Sequence, residues 1–159
     1  MKVEHALQHR IISNNHLAVI PNYFLGSFEC DLFVMNKNLY TTEYEVKHSK
    51  RDFDNDFKKS RQYFDWKEQS TSEKNKHAQI SGGLRTNRFY FVIEASVSSV
   101  AIPKYAGLIT FHKSEHGRTT FDYKKRAPLI HKNKANDKQV KKCLERLNWR
   151  YYIKVWESK

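Results

Sequence analysis

The first third of the chain alternates between helical and extended spacing of its apolar residues. Val3, Leu7 and Ile11 recur about every 3.6 residues, which predicts a helix over about residues 2–12. HLAVIPNYF follows as a short apolar run that contains a proline, so residues 17–24 are predicted to form an edge strand. FECDLFVM and LYTTEYEVK flank a polar turn at 36–38, and this pattern indicates a hairpin.

The middle and end of the chain have a second, longer set of elements. Ser49 opens a predicted helix that runs to about residue 67, with Phe53, Phe57 and Phe64 as its buried stripe. Residues 68–87 are polar and lack periodicity, so we expect a flexible loop there. RFYFVIEA and AIPKYAGLITF predict two more strands, TTFDYKKRAPLIHK is extended, and apolar spacing predicts a last helix over about 137–156. The order is helix, three strands, helix, two or three strands, helix, which favours one α/β domain over residues 1–159.

Composition narrows the function class. The chain has 159 residues and a formal net charge of +12. Ten Lys or Arg fall between residues 124 and 150. Such a surplus favours a polyanionic partner, although solubility alone or an acidic protein partner would also account for it. We expect no membrane span, no signal peptide and a cytoplasmic location, because long apolar runs are absent and the two cysteines are isolated.

Acids in the hairpin are the candidate chemistry. Strand alternation places Glu45 and Lys47 on one face, and folding about the turn brings Asp31 opposite residues 43–45. Two carboxylates are a typical protein contribution to a Mg²⁺ site, with the Val46 carbonyl as a further ligand, and Lys47 could assist the attacking water. The alternative is a solvated hairpin face with a weak salt bridge. Asp31 fits that alternative poorly, because Asp is disfavoured in strands.

The spacing D-x13-E-V-K of Asp31, Glu45 and Lys47 resembles the active site of the PD-(D/E)XK, or restriction-endonuclease-like, nuclease superfamily. That resemblance implies an αβββαβ core with a mixed central sheet flanked by helices, Asp on the second strand and E-x-K on the third. It also implies Mg²⁺ as cofactor, with Mn²⁺ tolerated, and DNA as substrate. The family's proline before the Asp is replaced here by Cys30.

A longer stretch, IPNYFLGSFECDLFVMNKNLYTTEYEVKHSKRDFDNDFKKS, resembles a bacterial and phage branch of that superfamily associated with DNA repair. The later blocks NRFYFVI, IPKYAGLI and KKRAPLIHK are similar to the same branch. The resemblance implies a DNA endonuclease of a bacterial or phage-infected cell. Many nucleases of this fold pair to cut both strands, so a homodimer is compatible with it.

Further residues have candidate roles with simpler alternatives beside them. The resemblance implies that Glu4 on the first helix completes the metal site, although an exposed helix acid is the alternative. Ser49 could contact phosphate at a helix N-terminus or serve only as a cap. Glu29, Glu43 and Asp56 are expected to be surface acids. The predicted phosphate contacts are Lys124, Lys125, Arg126, Lys132 and Lys134.

Aromatic residues near the C-terminus allow two interpretations. Trp149, Tyr152 and Trp156 could stack on unpaired bases, but packing of the last helix onto the sheet is the favoured expectation. Two other functions stay open for the whole chain. One is a catalytically inactive nucleic-acid-binding module of the same fold, and the other is a phage-encoded factor whose basic face binds an acidic protein.

Overall fold

The computed structural model describes residues 2–65, 67–97 and 99–157. Its elements, in chain order, are helix α1 (Val3–Ile11), strands β1 (His16–Leu25), β2 (Phe28–Asn36) and β3 (Thr41–Lys47), helix α2 (Lys50–Asp56), strands β4 (Ser60–Asp65) and β5 (Ser70–Asn75), helix α3 (Lys76–Ser81), strands β6 (Arg88–Glu94), β7 (Ala106–Lys113) and β8 (Thr119–Lys125), and helix α4 (Asp137–Glu157). A short 3₁₀ turn, Ala95–Val97, follows β6.

Six strands form the central sheet, in the order β1-β2-β3-β6-β7-β8. The pairs β1–β2, β2–β3 and β7–β8 are antiparallel, whereas β3–β6 and β6–β7 are parallel, so the sheet is mixed. Pro21 lies in β1, where an edge strand tolerates a residue without an N–H donor. The expected α/β class, the αβββαβ order and the mixed sheet are confirmed.

Helices cover both faces of this sheet. On one face, Val3 and Leu7 of α1 pack against a cluster that includes Leu32 and Val46. On the other face, α2 and α3 cover Phe91 and its neighbours, and α4 covers the β1–β2 hairpin through residues such as Cys143. Side chains of β3 with odd numbers therefore lie under α2 and α3, and that interior is where the candidate site is built.

Two predicted segments differ from the structure. The helix expected over 49–67 ends at Asp56, and residues 60–65 form β4 instead, paired with β5. The segment 68–87, expected to be an irregular loop, contains β5 and α3. Phe64 sits 48% exposed on β4, so it completes no helical stripe. The spacing of Phe53, Phe57 and Phe64 is that of a helix, but residues 60–65 pair with β5 instead. Such cross-strand pairing leaves no periodic pattern in the sequence of a polar hairpin.

The other elements agree with the expectations within a few residues. Ser49 is the N-cap of α2, and its Oγ accepts a hydrogen bond from the Asp52 N–H at 3.1 Å. The last helix, α4, spans Asp137–Glu157. Within the described ranges, no helix combines the length and apolar character needed to cross a membrane.

Candidate active site

Strand β3 delivers three charged side chains to the interior. This strand lies in the middle of the sheet, between β2 and β6. In the parallel ladder with β6, Glu43 pairs with Phe89, Glu45 with Phe91 and Lys47 with Ile93. Glu43, Glu45 and Lys47 are exposed by only 0%, 1% and 3%. Charged groups this deep in a protein are rare unless they are paired, so their partners decide what the site can do.

Asp31 reaches the same region from β2. The β2–β3 ladder ends at the pair Leu32–Tyr44, so Asp31 stands just beyond the last paired position. Its Oδ2 accepts a hydrogen bond from the backbone N–H of Val46 at 2.6 Å. Burial and the neighbouring Glu45 carboxylate raise the pKa of Asp31 to about 6. The convergence of Asp31, Glu45 and Lys47 that the hairpin geometry predicted is therefore present.

Lys47 is held between two carboxylates. Its Nζ lies 3.1 Å from Glu45 Oε2 and 2.8 Å from Asp56 Oδ1. Burial on its own would lower the pKa of Lys47, but the charges of Glu45 and Asp56 outweigh it and raise that pKa. The ammonium is thus charged and fixed in position.

Asp56 links Lys47 to a second buried chain of contacts. Its Oδ2 lies 2.7 Å from His77 Nε2, and His77 Nδ1 lies 2.8 Å from the hydroxyl of Tyr105. Burial would raise the pKa of Asp56, but the hydrogen bond to His77 and the charges of Lys76 and Lys47 lower it well below its usual range. Asp56 is only 1% exposed, so the expectation of a surface acid is wrong.

Lys76 and Arg85 neutralise the remaining acids. The Lys76 side chain is fully buried, and its Nζ forms an ion pair with Glu45 Oε1 and lies 3.2 Å from Glu43 Oε1. Arg85 contacts Glu43 in a two-point arrangement, Nε to Oε2 at 3.1 Å and a terminal nitrogen to Oε1 at 3.0 Å. Glu43 is therefore a buried ion-pair partner, and the expectation that it is a surface acid is also wrong. Glu29 is exposed, as expected.

Lys59 connects this cluster to solvent. Its side chain is 42% exposed, and its Nζ lies 2.5 Å from Asp56 Oδ1 and 3.6 Å from Glu45 Oε2. A cavity of about 330 Å³ opens beside it. The lining residues are Phe24, Phe28, Glu29, Lys59, Ser60 and Arg61. A phosphate that entered this cavity would meet Lys59 before any other cation of the cluster.

The arrangement of the acids bears directly on Mg²⁺. Asp31 and Glu45 carry hard oxygen donors, which Mg²⁺ prefers, and Glu45 is close enough to Asp31 to raise the pKa of Asp31. However, both Glu45 oxygens face ammonium groups, Oε1 that of Lys76 and Oε2 that of Lys47. Among the described residues, no group of three or more His, Cys, Asp or Glu is arranged to hold a metal ion. The donors suit Mg²⁺, but this arrangement does not fit it unless an ammonium moves away from Glu45.

Glu4, one of the other predicted site residues, is not brought to the cluster. Helix α1 packs on the face of Val46, opposite the side chains of Glu45 and Lys47. Within residues 2–65, 67–97 and 99–157, no hydrogen bond or ion pair joins Glu4 to Asp31 or Glu45. The Val46 carbonyl stays a predicted ligand, since the observed contact uses its N–H.

The predicted phosphate contacts also lie apart from β3. Lys124 and Lys125 are on β8, at the far edge of the sheet, and Lys125 Nζ donates to the Pro103 carbonyl at 2.9 Å. Lys134 Nζ lies 5.9 Å from the ring centroid of Tyr40, before the start of β3, whereas Lys47 ends that strand. Arg126 and Lys132 are exposed in the same segment. These cations therefore lie on β8 and the segment after it, apart from the cluster on β3.

Several residues of the cluster were not found from the sequence. They are Glu43, Asp56, Lys59, Lys76, His77 and Arg85. Asn75 offered a signal for α3, because its side chain caps that helix by accepting the Ala78 N–H at 3.0 Å. No sequence feature marks Lys76 as buried, since lysine at a helix start normally faces water.

The comparisons with known proteins bear on the fold alone. No family model matches the chain, and no curated protein does. A solved structure of a protein of unknown function from Silicibacter pomeroyi is similar, with a TM-score of 0.52 and 12% sequence identity over 86% of this chain and 75% of that one. At this identity the likeness supports the α/β fold and leaves the activity to be argued from the site.

Proposed function

We propose that this chain is a nuclease that hydrolyses phosphodiester bonds of DNA at the cluster of Asp31, Glu45 and Lys47. The observation that carries this proposal is that these three side chains converge where the β2–β3 ladder ends. Lys59, which lies 3.6 Å from Glu45, also lines a cavity that is open to solvent. Simple solubility would not require an acid-and-lysine cluster in the interior, because exposed charges serve that purpose.

The chain's own residues suit the needs of this chemistry. Negative charge grows on the phosphate during hydrolysis, and fixed cations that are already in place stabilise it. Lys59 is accessible to a substrate, and Lys47 is held behind it at 2.8 Å from Asp56. Asp31 and Glu45 would orient water or a metal ion against the same phosphate.

Mg²⁺, with Mn²⁺ as a substitute, is the proposed cofactor. When bound, it would lower the pKa of a coordinated water and polarise the phosphoryl oxygen. Asp31 and Glu45 are the residues that would hold it, provided that Lys76 or Lys47 releases an oxygen of Glu45. Titration calorimetry with Mg²⁺ tests this part by itself, with Glu45→Gln as the comparison.

The ammonium of Lys76 favours one alternative. Because it neutralises Glu45 and Glu43 without a metal, the same geometry suits a catalytically inactive module that binds nucleic acid. Such a module would bind DNA equally well with and without divalent ions. A role in DNA repair or phage DNA processing, a cytoplasmic location and a homodimer belong to the proposal in either form.

A cleavage panel separates the two forms. Supercoiled, duplex, flap, junction and single-stranded DNA, with RNA included, would be incubated with the protein in Mg²⁺, Mn²⁺ or EDTA. We expect cleavage of at least one DNA substrate in the metal-containing samples only. DNA binding with no cleavage of any substrate would favour the inactive module.

The residue assignment needs a matched pair of variants. Glu45→Gln should abolish cleavage, whereas Glu115→Gln, an exposed acid in the turn between β7 and β8, should leave it close to that of the unmodified protein. Thermal melts must show that both variants are folded at the assay temperature. Normal cleavage by folded Glu45→Gln would refute the assignment.

A further inference from the structure

Helix α4 has an unusual distribution of exposed aromatic residues. Cys143 is the residue of this helix that is buried, and residues 151–157 are all exposed. Trp149, Tyr152 and Trp156 are exposed by 55%, 53% and 66%. The expectation that these rings pack the helix onto the sheet is wrong, so their presence on the surface needs another explanation.

The three rings form a ladder. They lie at positions i, i+3 and i+7 of α4, which is one face of a helix. The ring centroids of Trp149 and Tyr152 are 6.1 Å apart with an interplanar angle of 22°, and those of Tyr152 and Trp156 are again 6.1 Å apart. Flat side chains at this regular spacing provide platforms on which planar groups can stack.

Basic residues run alongside this aromatic ladder. Along α4 they recur at every fourth position, about 6 Å apart along the helix axis, and each step turns about 40° around the helix. Lys138, Lys142 and Arg146 lie on the side of the helix that carries the ladder, and these three form the basic ridge. Arg150 is turned toward β1, where it donates to the Asn22 carbonyl at 3.0 Å. Arg146 stands one turn before Trp149, and Lys142 stands two turns before it. A ligand stacked on the ladder would therefore carry its negative charges next to cations.

A cavity lies at the start of the ladder. Its volume is about 370 Å³. It is lined by Tyr23, Phe24, Lys142, Glu145, Arg146 and Trp149. Phe24 also lines the cavity that opens at Lys59, so the two cavities are neighbours on the β1 side of the molecule. The first ring of the ladder, Trp149, and the accessible cation Lys59 therefore each line a cavity that Phe24 also lines.

We propose that α4 binds single-stranded DNA, with bases stacked on the ladder and the strand directed past Phe24 toward Lys59. The rings can stack only on unpaired bases, which favours a single strand over a duplex. Charge favours DNA over a second copy of this chain, because a self-associated α4 would bring two basic ridges together. The direction of the strand toward Lys59 rests on the proposed nuclease function, whereas binding to α4 does not.

Fluorescence anisotropy with a labelled 12-nucleotide oligo-dT tests the binding. The assay is run in EDTA, so that metal-dependent cleavage of the oligonucleotide cannot obscure the result. Combined Trp149→Ala, Tyr152→Ala and Trp156→Ala substitutions should weaken binding at least about a hundredfold, since each of the three lost stacking contacts weakens it by roughly fivefold or more. Tyr151→Ala is the matched control, because Tyr151 is 73% exposed and lies on the other side of α4. It should change the affinity less than twofold.

Three outcomes would overturn the proposal. The first is a triple variant that binds oligo-dT as tightly as the control. The second is tighter binding of a 12-base-pair duplex, or of oligo-U, than of oligo-dT. The third is a dimer in sedimentation experiments that the triple variant converts to monomer, which would assign the ladder to a second copy. If cleavage fails in the panel above while this binding is found, only the nuclease proposal is lost.

Discussion

The buried cluster and helix α4 use charged residues in opposite ways. In the cluster, Lys47, Lys76 and Arg85 are almost completely buried, and each lies within 3.2 Å of a carboxylate oxygen. Along α4, lysine and arginine side chains outnumber acids and lie mostly at the surface. The charge surplus of +12 therefore comes from residues outside the cluster, because the cluster has as many cations as carboxyl groups. Its four cations are Lys47, Lys59, Lys76 and Arg85, and its four carboxyl groups are those of Asp31, Glu43, Glu45 and Asp56.

This difference separates two meanings of a basic residue. A paired interior cation fixes the positions of acids, and it contributes little to long-range attraction of a polyanion because its charge is cancelled locally. An exposed cation contributes to that attraction and little to stability. Variants of the buried, paired cations should therefore lower the stability of the protein. Variants of the exposed cations should weaken its binding to a polyanion.

The largest effect is expected from Lys76→Met. It removes the ammonium between Glu43 and Glu45 and leaves two buried acids with less compensation, so we expect a loss of about 3–5 kcal/mol in the free energy of unfolding. Urea unfolding followed by circular dichroism measures it. Lys74→Met, an exposed lysine two residues earlier, should stay within about 0.5 kcal/mol of the unmodified protein. A Lys76→Met loss under 1 kcal/mol would contradict the cluster as described.

A smaller effect of opposite sign is expected from Asp31→Asn. The pKa of Asp31 is about 6 in the folded protein against an ordinary value of 3.8, so the folded state binds more protons between these pH values. Stability therefore falls as the pH rises through this window, by about 1–3 kcal/mol in total. Asparagine keeps an oxygen acceptor for the Val46 N–H but cannot ionise.

The pH dependence makes the Asp31→Asn result specific. The variant should be more stable than the unmodified protein at pH 8, and the two should converge near pH 3, below the ordinary value of 3.8, where Asp31 is largely protonated in both the folded and unfolded states. Urea midpoints at the two pH values measure the difference. Equal pH dependence in both proteins would show that Asp31 is not held near Glu45.

Those features of the fold and of the candidate site that depend on residues close together in the chain were predicted from the sequence. Strand alternation and the polar turn at 36–38 are properties of neighbouring residues, and they suffice to predict that Asp31 lies near Glu45. The αβββαβ order followed from apolar spacing for the same reason. Ser49 was recognised as a cap because capping depends on residues three apart.

Long-range pairing is where prediction from the sequence failed. Arg85 is 42 positions from its partner Glu43, and Lys76 is 31 from Glu45. No local pattern marks these residues as interior, because polar residues at 68–87 resemble a solvated loop. The prediction for the aromatic residues of α4 was wrong in the opposite sense, because residues expected to be buried are exposed. Their spacing is that of a buried helical face, and only the three-dimensional structure reveals that nothing described covers them.

The salt dependence of DNA binding should separate the two basic surfaces. Lys142→Ala with Arg146→Ala should reduce the slope of log K against log salt by about 1.4 for oligo-dT, at about 0.7 for each phosphate contact on a single strand. Lys124→Ala with Arg126→Ala, on and just after β8, should reduce it less if the strand follows α4. A larger reduction of the slope for Lys124→Ala with Arg126→Ala would instead favour phosphate binding at the basic residues 124–134, as predicted from the sequence.

The smallest effect is expected for the stability of α4 variants. Trp156→Ala removes a ring that is 66% exposed, so the free energy of unfolding should change by less than about 0.5 kcal/mol. Phe53→Ala, which removes a ring only 4% exposed from the core under α2, should cost about 3–5 kcal/mol. A large loss for Trp156→Ala would mean that the ring is covered in solution by part of the same chain or by a second copy. In that case the aromatic ladder would be a structural contact, and its use by a DNA strand would require that contact to open first.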